Sequence, residues 1–72
     1  MSFEVGTFEF LSGETTKTVN LTESYSLSPV VNITNNKNIN VYLTDIQNNY
    51  FIVEKNSEES ATVYYVVIES DS

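Results

Sequence analysis

Cysteine, histidine, arginine and tryptophan are all absent from this 72-residue chain, and its only basic side chains are Lys17, Lys37 and Lys55. Each absence removes a class of function. Without cysteine there is no disulfide, and without cysteine or histidine the usual ligand set of a structural zinc site is missing. Without histidine, cysteine or arginine no nucleophile and supporting base of a known pattern can be assembled, so neither an enzyme nor a cofactor is expected. The balance of 10 Asp and Glu against 3 Lys, a net charge of −7, repels phosphate backbones and anionic headgroups, which argues against nucleic acid and membrane surfaces as partners. No apolar run approaches the ~20 residues that span a bilayer. The opening Met-Ser-Phe-Glu-Val-Gly also lacks the basic and apolar regions of a signal peptide.

A chain of this length holds one domain, residues 1–72, since separate cores need roughly 50 residues or more each. Surface scaling gives ~7,200 Å² buried on folding. The apolar share of that area contributes ~110 kcal/mol, and ordering the chain costs about the same. A monomer of this size is therefore marginal. With no disulfide or zinc site to staple it, self-association is the remaining route to stability.

What the sequence does contain is a β pattern. Apolar residues alternate with period two, β-branched and aromatic types are frequent, and no window carries the i, i+3, i+4, i+7 stripe of a helix. The pattern predicts an all-β chain with six strands over 2–11, 15–22, 29–34, 39–45, 50–55 and 61–69. Polar turns fall at Ser12-Gly13-Glu14, Asn35-Asn36-Lys37-Asn38, Gln47-Asn48-Asn49 and Asn56-Ser57-Glu58-Glu59-Ser60. Each is of hairpin length, which predicts antiparallel pairing of the two strands it joins.

Side-chain parity then sorts the strands. In the first, Phe3 and Val5 are odd while Phe8 and Phe10 are even, so a β-bulge at Gly6 is expected to bring all four to one face. The second is one-sided, with Val19 and Leu21 in phase, and the fourth places Ile39, Val41 and Leu43 opposite Asn40, Tyr42 and Thr44. The last has two apolar faces: Val63, Tyr65 and Val67 on one, Tyr64, Val66 and Ile68 on the other. Either a loop such as Ser24 to Ser28 roofs the second face or another copy of the chain covers it. The marginal size favours another copy, with Tyr42, Tyr64, Val66 and Ile68 as the expected oligomer interface. Val30 and Ile52 are further apolar residues of outward parity.

Other candidate sites have ordinary explanations. Glu58-Glu59 reads as a solvated pair in a polar turn, and Asp45, Asn48 and Asn49 match no calcium loop, so no metal is expected. The sequons Asn20-Leu21-Thr22 and Asn32-Ile33-Thr34 fall within predicted strands and read as chance. Tyr25 and Tyr50, near loops, are the candidates for stacking on a sugar ring, since a tyrosine offers a flat apolar face with a polar tip.

Four stretches carry a wider pattern: "TKTVNLTESYSLSPVVNIT", "NINVYLTDI", "YFIVEK" and "ATVYYVVIE". The pattern-bearing positions are Ser24 to Ser28 with Pro29-Val30-Val31, Asn40-Val41-Tyr42, Thr44 and Ile46 with Phe51 and Val53, and Val63-Tyr64-Tyr65 with Ile68. Over about three-quarters of its 72 residues the chain resembles the H-type lectin-like sandwich found in small bacteriophage structural and fibre proteins. The resemblance implies a six-stranded antiparallel β-sandwich that assembles as a homotrimer. It departs from the animal lectins of that family in having no Arg, Trp or His with which to hold an amino sugar. With Met1 opening the chain and no shaft repeat before the sandwich, it points to a stand-alone accessory virion protein. The expected function is a trimeric capsid decoration or cement protein that binds other virion proteins on the outer capsid surface. The alternative is a lectin-like module of a head or tail fibre that binds a host-surface glycan through Tyr25 or Tyr50.

Overall fold

The computed structural model describes residues 3–25, 27 and 29–69. Residue 2 of the first expected strand, Ser26 and Ser28 of the corner, and residues 70–72 of the acidic tail lie outside the described residues. The described chain forms β1 (Phe3–Phe10), β2 (Thr16–Asn20), β3 (Val30–Asn35), β4 (Val41–Ile46), β5 (Tyr50–Lys55) and β6 (Ala61–Ile68), each within two residues of its expected bounds. It is all-β, with no helix among the described residues. All pairings are antiparallel, in two three-stranded sheets: sheet A in the order β1-β6-β3 and sheet B in the order β2-β5-β4. The accessible surface of 4407 Å² matches the ~4,500 Å² expected for a compact chain of this mass.

The hairpin expectation holds only for the turn between β4 and β5. The other three polar turns carry the chain from one sheet to the other. The reason lies in β5 and β6, the central strands of their sheets, which carry four of the five largest fully buried side chains, Phe51, Val53, Val63 and Val67. Phe51 and Val53 face Val63 and Val67 across a shared core, so the turn between these strands must cross the core rather than close a ladder. The β1–β2 turn crosses beside it, and the Gly13 N–H donates to Glu58 O at 2.8 Å. The Glu14 N–H returns to Leu11 O at 3.0 Å, and Gly13 at φ 92° supplies the positive φ that a type II turn needs at its third residue.

Both sheets feed one core: Phe10, Val19, Tyr25, Val31, Phe51, Val53, Val63 and Val67 are buried together. Aromatic edges lock its middle. Phe51 and Tyr65 meet at 5.3 Å between ring centroids, and Phe8 and Phe10 at 5.5 Å, both edge to face. There is no bulge at Gly6. β1 runs in continuous register with β6 from Phe3↔Ile68 to Phe10↔Ala61. Gly6 instead makes room for Tyr65, whose hydroxyl would lie 2.5 Å from a Cβ placed there. Phe3 and Val5 therefore stay on the outer face, 67% and 65% exposed. The bulge lies in β4, between Leu43 and Asp45, and it turns the even-numbered Ile46 onto the same core as Val41 and Leu43.

Candidate interaction surface

The registers of β1, β6 and β3 place the outward residues of sheet A in rows. Phe3, Ile68 and Val30 form one row; Val5, Val66 and Asn32 the next; Thr7, Tyr64 and Thr34 the third; and Glu9 and Thr62 close the face. The first two rows make a continuous apolar patch that Tyr64 extends. Val30 is 51% exposed, Tyr64 46% and Val66 38%, so the second face of β6 is open in the monomer. Glu9 is the single charged residue in these rows.

Among the described residues no loop roofs this face. The chain after β2 turns inward instead. The Leu21 and Tyr25 N–H groups donate to Asn49 O and Asn48 O, both at 2.9 Å, and Tyr25 enters the core at 4% exposure. Its hydroxyl donates to Glu4 Oε1 at 3.1 Å, an oxygen that also accepts the Thr22 hydroxyl at 3.1 Å. Leu27, the described residue between Ser26 and Ser28, is exposed.

The outward face of sheet B has another character. Its rows are Thr16, Glu54 and Tyr42, then Thr18, Ile52 and Asp45, then Asn20 and Tyr50. Carboxylates and hydroxyls interrupt every apolar contact, and the central Ile52 is half-buried. The expected interface set is thereby divided: Tyr64, Val66 and Ile68 share sheet A, while Tyr42 stands on sheet B, paired with Glu54. Tyr42 thus belongs to no common patch with the other three.

The two tyrosines expected to stack on a sugar part in the same way. The ring of Tyr25 is core and offers no face to a ligand, whereas Tyr50 is half-buried at the start of β5 beside Asn20. Among the described residues no three metal-ligating side chains gather. The Asp45 carboxylate accepts from the Gln47 amide at 2.9 Å, and the Asn48 and Asn49 carbonyls hold the 21–25 loop. Asn20 and Asn32 of the sequons are both exposed, on opposite sheets. Glu14, in the β1–β2 turn, is held by two donors. The Leu11 N–H at 2.7 Å, and then Lys17 at 3.3 Å, hold its carboxyl below the ordinary carboxylate range.

Two features went unread in the sequence. Lys55 is 3% exposed, its ammonium donating to Ser57 O at 2.5 Å and lying 5.0 Å from the Phe10 ring centroid. Its parity with Phe51 and Val53 was the available signal. Phe3 and Val5 join the outer patch, and the unbroken alternation of β1 taken literally would have placed them there. Comparison of the chain with protein-family models, curated proteins and solved structures finds no match.

Proposed function

We propose that this chain is a non-enzymatic bacteriophage virion protein, a trimeric decoration or cement protein of the outer capsid, with an H-type lectin-like β-sandwich. The phage assignment rests on the sequence resemblance. The observation that carries the mechanism is the charge-poor apolar face formed by Phe3, Val5, Val30, Tyr64, Val66 and Ile68. Large exposed apolar patches on small proteins mark contact surfaces. Covering a few hundred Å² of this one contributes on the order of 5–10 kcal/mol before the cost of association, enough to matter to a marginal 72-residue fold. Subunits meet through this face, and the acidic turns and polar sheet B are left to meet a basic or neutral capsid surface.

Co-sedimentation with isolated phage heads that lack the protein tests the reading. The account expects saturable binding at a fixed number of trimers per head, lost in Val66→Lys. Absence of binding by a folded trimer would remove the capsid role while leaving the self-association intact.

A further inference from the structure

We propose that the free edge of β1 pairs with the β1 edge of a second copy of this chain, the two strands running antiparallel about a two-fold axis. This goes beyond the trimer, because a two-fold contact joins assemblies in pairs.

The four edge strands are not equally protected. β2 is five residues long and turns Lys17 inward, and β4 is broken by its bulge between Leu43 and Asp45. β3 follows Pro29 and lies alongside β4 of the other sheet. These are the devices by which edges avoid pairing with other chains. β1 has only one of them: its Glu4 turns inward, as Lys17 does in β2, and accepts from the Thr22 and Tyr25 hydroxyls. It is eight residues long, in continuous register with β6, and carries no proline, lysine or bulge. Its outer side bears Phe3, Val5 and Thr7, types that suit cross-strand pairing.

A second copy fits this edge by symmetry and by charge. A strand edge is self-complementary when turned antiparallel, since each copy offers the donors and acceptors the other lacks. Registers that keep outer face beside outer face pair residues of equal parity. Glu4 is even and Glu9 odd, so these two acids never oppose one another. Opposing Glu4 to its own copy, or Glu9 to its own, would confine pairing to three residues at one end of the strand. Every longer register is free of directly opposed like charges. Pairing would also extend the apolar rows of sheet A across the axis into a second copy.

The chain has no cysteine, so single cysteines report proximity between copies without interference. Val5→Cys, Val66→Cys and Asn32→Cys sample one row of sheet A from the free edge through the centre to the far edge, and Thr7→Cys samples the next row of β1. Under mild oxidant, the fastest of Val5→Cys, Thr7→Cys and their equimolar mixture is expected to form disulfide dimers at least about tenfold faster than Val66→Cys or Asn32→Cys. Circular dichroism confirms that each variant is folded. A lead by Val66→Cys would mean copies meet only face to face, and a lead by Asn32→Cys would move the contact to β3. Equal slow rates at all positions would mean no ordered edge contact. Each of these results overturns the proposal. Light scattering on the reduced variants reports the trimer separately, so failure of one contact is distinguishable from failure of the other.

Discussion

Val66 in β6 and Ile52 in β5 hold equivalent places, each outward-facing on the central strand of a three-stranded sheet. Their neighbours differ. Val66 sits between Val5 and Asn32, one row from Phe3, Ile68 and Val30, whereas Ile52 sits between Thr18 and Asp45, one row from Thr16, Glu54 and Tyr42. An apolar residue on an outer face is ordinary when isolated among polar neighbours. It becomes a contact surface when the rows on either side of it are apolar too. On the proposed reading, the sheet A face is the one that meets another copy, and the sheet B face is not.

The largest effect that could break this comparison comes from charging the two centres in turn. Val66→Lys places an uncompensated charge in the proposed contact, and we expect association to weaken by at least about 100-fold, or ~3 kcal/mol. Ile52→Lys should leave the solution mass unchanged. Sedimentation of both variants decides, and equal weakening by the two would erase the distinction between the faces.

A second substitution separates the inside of sheet A from its outside. Gly6→Ala puts a methyl against the Tyr65 ring, which is held by Phe8 and Phe51 and cannot simply swing away. Overpacking of this kind costs about 1–3 kcal/mol. The denaturation midpoint, compared with the parent at one matched micromolar concentration, should fall accordingly, while the outer face remains chemically intact.

The sequence revealed these features unevenly. All six strands were legible, because alternation with period two depends only on neighbouring residues. Their pairing was not, because a turn of hairpin length such as Asn56 to Ser60 looks the same whether it closes a ladder or crosses a core. The same blindness put Tyr42 with Tyr64. Outward parity is readable along one strand, but sheet membership is not. Gly6 was ambiguous in kind, since a glycine within a strand suits a bulge and a close approach equally. The two-sided β6 was the clearest surface signal, and it named Tyr64, Val66 and Ile68 of the outer face. Phe3, Val5 and Val30 complete their patch only through the register. Tyr25 was misplaced because a loop residue carries no parity from which its burial can be read.

Smaller effects sharpen the edges of the patch. Phe3→Thr removes the most exposed aromatic ring of the first row. It should leave the circular dichroism of the assembled protein unchanged, while weakening association by about 1 kcal/mol, roughly fivefold.

The smallest effect lies away from both faces, at Glu14. Its folded carboxyl titrates below the unfolded value because Leu11 N–H and Lys17 favour the charged form. Its contribution is therefore present above the unfolded pKa and lost as pH falls through the folded one. Thermal melts on either side of that range should show Glu14→Gln with a slightly shallower acid loss than the parent. Because the group is at the surface, the difference should be near the limit of detection.

Solution mass measured by light scattering over a dilution series, with circular dichroism on the same samples, tests the central claim most directly. The account predicts a β-rich particle of three chains at micromolar concentration, or a multiple of three where edges also pair, that loses mass and structure together on dilution. A well-folded single chain at every concentration would contradict it, and would leave the apolar face of sheet A without the occupant assigned to it.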